Sequence, residues 1–240
     1  MSFIPSAGFT RNPMTKDNAK IVEILSRAEE TLKTARHGLD DLANADRSRR
    51  FTGLRNLIVF GRSFTWVLQN LRSVIPASFD EWYKPEQENM VKDPLMRYFI
   101  DARNELEKQG KLSVATSAAI HSFSPYTDMK KFGTPPIGAK SFFVGDSLGG
   151  TGWEVELANG RTEKYYVALP NSIGEVKQHF VNFPEAKAPE LAGKSIDVIC
   201  ALYLERLDAL LERARQYFLH EQPREKIGSK RLPPYLRVVK

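Results

Sequence analysis

Between Leu95 and Leu106 apolar residues return every three or four positions. Leu95, Phe99, Ala102 and Leu106 share a stripe with Tyr98 beside it, and Arg97, Asp101, Asn104 and Lys108 fall opposite. Asp93 and Pro94 form a helix start and Gly110 a stop, so the spacing predicts one helix over 93–110. Arg103 breaks the pattern. At about 100° per residue it flanks the apolar stripe beside Met96 and Phe99, where a guanidinium needs a partner, and Glu107 is the nearest one in the helix.

Three further long helices follow from the same period. Ile21, Leu25, Ala28, Leu32, Ala35, Leu39 and Leu42 mark one from Thr15 to about Ala43, with Gly38 as a candidate bend or end. Phe51 to Ile75 is apolar around most of its circumference, Trp66 included, as expected of a central bundle helix. Ile196 to Phe218, capped by Ser195, carries the last apolar face. Pro76 to Lys92 reads as a loop whose Phe79, Trp82 and Tyr83 cover a bundle end. Asn171 or Ser172 is expected to cap a short helix containing Ile173, Val176 and Phe180.

Elsewhere the period changes to two. Lys111–Ser124 predicts one long strand or two short ones, and Pro125–Lys140 an irregular excursion. Trp153, Val155 and Leu157 alternate with Glu154 and Glu156, then Tyr165, Val167 and Leu169 return after Asn159-Gly160. Only a three-residue loop, Ala158 to Gly160, puts both apolar sets on one face. The parity therefore predicts a type I turn with a bulge at Gly160 and places Glu154 opposite Lys164.

These elements together predict an α+β protein: mainly an α-helical bundle, with a β-hairpin-containing insertion at about 111–170 between the third and last long helices. Residues 1–14 read as an extended arm, 15–222 as a single domain and 223–240 as a basic tail. Of the formal net charge of +6, much lies in that tail, where Arg224, Lys226, Lys230, Arg231, Arg237 and Lys240 face only Glu225. Lys230 and Arg231 are thus the candidate nucleic-acid footing, and the body is near neutral.

Candidate chemistry is sparse. Cys200 is the only cysteine, so no internal disulfide can form, and its place on an apolar helix face reads as core. No metal spacing or cofactor motif occurs. With neither a leader pattern nor an unbroken apolar span, a cytoplasmic protein is expected, neither secreted nor membrane-spanning. Gly145, Gly149, Gly150 and Gly152 lack the following Lys-Ser or Lys-Thr and helix of a phosphate loop, and read as a flexible turn. Arg55, Arg62 and Gln69, seven apart, share one side of the second helix. They read as a polar seam meeting Asp101 or Glu105, or as a cationic groove for an anionic ligand.

Arg103-Asn104, on a bundle helix and followed by Glu105, Leu106, Glu107 and Lys108, resembles the HEPN superfamily of helical-bundle proteins. Many of these are RNases of toxin and defence systems. The resemblance implies a homodimer with Arg103 and Asn104 at a dimer cleft, the arginine steadying phosphate. Where the family has histidine this chain offers Lys108 or Gln109, and the next histidine is His121, beyond Gly110. A lysine at its usual pKa of about 10.4 is a poor base near neutrality. Two functions are therefore weighed. The leading one is a non-catalytic, self-associating interaction protein using the β-hairpin and the tail as surfaces. The other is a metal-independent ribonuclease using Arg103 and Asn104 with Lys108 or His121.

Overall fold

The computed structural model describes residues 16–44 and 47–219. The protein is α+β, a helical bundle carrying two small antiparallel sheets. Helix α1 (Lys16–Ala43) buries Ile21, Leu25, Ala28, Leu32, Ala35 and Leu42. Gly38 does not end it. A Cβ there would lie 2.5 Å from the Gly53 carbonyl oxygen of α2 (Arg50–Gln69), and one on Gly53 would meet the Gly38 oxygen at the same distance. The two glycines are the crossing point of the most extensive helix pair in the bundle.

Pro76–Lys92 is a helix, α3, and not the expected loop. Pro76 sits in its first turn, where the missing N–H costs nothing. Phe79, Trp82 and Tyr83, spaced three and four apart, turn one buried face to the bundle. Phe79 stacks on Tyr83 at 4.9 Å and Trp82 meets Phe218 edge-on at 5.2 Å. Helix α4 (Pro94–Gln109) has the ends its sequence predicts. The Asp93 carboxylate accepts from the Leu95 and Met96 N–H groups and is held by Arg206. Gly110 closes the helix at φ 67°. The last helix, α6 (Ile196–Leu219), buries Cys200 completely, and burial pushes that thiol well above its usual range.

The insertion is longer than expected. Strand β1 (Val114–Ile120) pairs along its whole length with β5 (Gly174–Phe180), so the 174–180 stretch is a strand and not a capped helix. Val176 and Phe180 are four apart, a spacing that suits either period, but Gly174, Gln178 and Phe180 are buried while Glu175 and Lys177 are exposed. Between these strands come a short helix, α5 (Pro125–Asp128), a 3-10 turn (Met129–Phe132) and the meander β2 (Ala139–Val144), β3 (Thr151–Glu156) and β4 (Thr162–Val167). The 125–140 stretch is therefore partly regular. The β3–β4 hairpin has the predicted register, Glu154 opposite Lys164 and Trp153 opposite Tyr165. Gly160 takes φ 76°, and its N–H donates to the Leu157 carbonyl at 2.9 Å.

One polar node closes the glycine-rich turn of the insertion and another ties the insertion to the bundle. Asp146 organises the glycine-rich turn. One carboxylate oxygen accepts from the Leu148 and Gly150 N–H groups at 3.0 and 2.8 Å, and the other from Lys164 and Tyr166 at 2.9 and 2.8 Å. The turn thus closes on a carboxylate of its own, which leaves no cradle for phosphate. Gln178 joins three elements: its amide nitrogen donates to the Ser147 carbonyl at 2.9 Å, its oxygen accepts from Arg50, and it lies beside Thr116. Arg50, itself buried, continues to Asp197 at 3.0 Å and to the Leu42 carbonyl. No described helix is long and apolar enough to cross a membrane. The expected arm, Thr15, and the tail with Lys230 and Arg231 lie outside the described residues.

Candidate functional site

Helices α2 and α4 pack with their chains opposed, which brings Arg55, Arg62 and Trp66 to one seam with Arg103 and Gly110. The carboxylate pairing expected of that seam is absent. Arg55 donates to the Gly110 carbonyl at 3.2 Å, satisfying the C-terminal end of α4. Gln69 donates to the Thr65 carbonyl. Arg62 donates to the Thr65 hydroxyl at 2.8 Å and pairs with no carboxylate among the described residues. Asp101 and Glu105 are on another side of α4. Glu105 accepts from Ser113 and pairs with Lys111.

Arg103 lies between a carboxylate and an indole. Its Nη2 meets Glu107 at 2.5 Å, the partner one turn on, and its guanidinium carbon stands 4.6 Å from the centre of the Trp66 ring. Arg62, one turn before Trp66 on α2, approaches the same ring at 5.2 Å. Two cations therefore flank one indole, an attraction of about 0.5–2 kcal/mol each depending on solvation. Trp66 keeps 43% of its surface exposed. Arg103 is desolvated at Nε, which has no hydrogen-bond partner. Its own contact to Asn104 is long, 3.4 Å.

The residues proposed as catalytic do not converge within the chain. Lys108 is exposed on the far side of α4. His121 follows β1, and seven strand residues carry it roughly 20 Å along the ribbon from the end that packs on the bundle. Its backbone N–H is bound to Ile173. Among the described residues no three His, Cys, Asp or Glu side chains gather to hold a metal ion.

Sequence reading missed Trp66, counting it as core because α2 is apolar nearly all round. The available signal was Arg62 and Trp66 at a spacing of four, which puts a cation over an indole on one helix face. It also missed a cleft between α4 and the β5–α6 connection, lined by Arg97, Tyr98 and Asp101, because one wall comes from a segment 80 residues away.

Residues 44–137 match the family model described as bacteriophage lambda protein ea47. That span contains α2, α3, α4 and β1, and with them the whole Arg62, Trp66 and Arg103 arrangement. No curated protein and no solved structure matches the chain.

Proposed function

We propose that this chain is a non-catalytic binding protein that self-associates through the α2–α4 face. One observation carries the reading: Arg103 is engaged by Glu107 and Trp66, and neither Lys108 nor His121, the proton carriers that the ribonuclease reading needs, lies beside it. Proton transfer requires a base within about 3 Å of the reacting hydroxyl or one water away. Binding requires only the surface. Exposed tryptophan and arginine are the residue types that dominate association energies. Arg62, lacking a carboxylate among the described residues, and Glu107, with a side chain 39% exposed, sit on one face. A two-fold axis through such a face sets the Arg62 of each copy toward the Glu107 of the other, which makes the face self-complementary.

The test is incubation of the purified protein with labelled RNA in EDTA, alongside Arg103→Ala and Asn104→Ala. The binding reading expects no cleavage by any of the three. Arg103→Ala should lose about 1–3 kcal/mol of stability through its ion pair and ring contact, and Asn104→Ala should melt as wild type. The ribonuclease reading instead expects metal-independent cleavage, abolished in both variants while Arg103→Ala stays as stable as wild type. Running the same incubation with and without residues 224–240 assigns any salt-dependent RNA retention to the tail with Lys230 and Arg231.

A further inference from the structure

A second concave site lies on the opposite flank of α4. It is a cleft of about 300 Å3 between that helix and residues 182–187. That volume is at the small end of the range for ligand sites. Tyr98 forms its inner wall. The ring is fixed by Phe180 at 5.0 Å and Phe183 at 5.1 Å, and the residue is only 9% exposed. Its hydroxyl is open to the cleft and has no hydrogen-bond partner among the described residues, which leaves it free to donate. Burial first, then the neighbouring Cys200 and Glu105, raises its pKa, so the group stays a neutral donor.

Three charges of the lining are open to solvent and available to a ligand. Arg97, Asp101 and Lys187 form no ion pair with any described residue, even though Arg97 and Asp101 are one turn apart. Glu105 is already paired with Lys111 and accepts from the Ser113 hydroxyl. Two cations and one carboxylate are left to be matched, with Asn182 as a further polar group at the rim. A lone phosphate or simple dicarboxylate would satisfy the cations and face Asp101 uncompensated. A neutral amino acid would leave one cation over. The complement is a molecule with two carboxylates and one ammonium.

We propose that the cleft bounded by Arg97, Tyr98, Asp101 and Lys187 binds a small acidic α-amino acid of the aspartate or glutamate class. Arg97 and Lys187 take the two carboxylates, the Tyr98 hydroxyl donates to one of them, and Asp101 receives the ammonium.

The test is calorimetric titration and thermal melting of the full chain with L-glutamate and L-aspartate, using glutarate and L-glutamine as comparators. At least one acidic amino acid should bind and raise the melting temperature. Glutarate, without the ammonium, and glutamine, without the second carboxylate, should each bind about tenfold more weakly or worse. Tyr98→Phe, which keeps the ring packing, should weaken binding about fivefold at an unchanged melting temperature without ligand. Asp101→Asn should weaken glutamate and spare glutarate. The proposal is overturned if neither acidic amino acid binds at millimolar concentration. It is equally overturned if Tyr98→Phe and Asp101→Asn bind as wild type does.

Discussion

Asp146 shows how one carboxylate decides a local structure. Burial opposes its charge, but the Gly150 N–H, Lys164 and Tyr166 outweigh that cost and hold its pKa below the usual carboxylate value. A pKa depressed in the folded state adds stability that is complete above the unfolded value of about 3.9 and disappears as pH falls through the folded one. Asp146→Asn keeps one acceptor oxygen and loses the charge. It should therefore cost about 1–3 kcal/mol at pH 7, measured by denaturant unfolding, and the gap to wild type should shrink as pH falls below the unfolded value of about 3.9. A constant gap across that window would mean the carboxylate is not what holds the turn. At this scale the sequence was partly legible. Arg103 and Glu107 could be paired from their spacing, and Gly160 could be assigned by parity. The exposure of Trp66 was not legible, because exposure on a nearly all-apolar helix depends on which neighbours arrive. Asp146 was passed over because its four partners come from both the turn and β4.

At the scale of elements, α1 and α2 are set by contact between backbones. Alanine is the better helix former by about 1 kcal/mol, so propensity alone predicts that Gly38→Ala stabilises α1. The crossing geometry reverses the sign. The added carbon would stand 2.5 Å from the Gly53 oxygen and 2.7 Å from the Leu57 nitrogen, both main-chain atoms of α2, so the helices must separate. A net loss of about 1–3 kcal/mol in thermal or urea melts is expected, and a gain would show that the helices do not meet there. Long amphipathic helices and the β3–β4 hairpin could be read from period and parity, because each carries its pattern within one segment. Helix α3 and strand β5 could not. The prolines of α3, Pro76 and Pro85, masked a face that only Phe218 and its neighbours complete. The Val176 and Phe180 spacing of β5 fits helix and strand alike, until pairing with β1 decides it.

For the whole molecule, the bundle order was readable from four helical periods, whereas the surfaces proposed to bind were not. Arg55 and Arg62 were rightly placed on one side of α2. What they meet, a helix-end carbonyl and an indole, is a property of how α4 lies against α2. The same packing puts unmatched Arg62 and half-exposed Glu107 on one face, which is the basis for the proposed self-association. The most direct test of that account is the mass in solution by light scattering at micromolar concentration, for wild type and for Arg62→Glu. The substitution would set carboxylates against each other across a two-fold axis. The account predicts twice the 27.2 kDa chain mass for wild type and a single chain mass for the variant. Wild type at the single chain mass, or a variant that stays doubled, would contradict it.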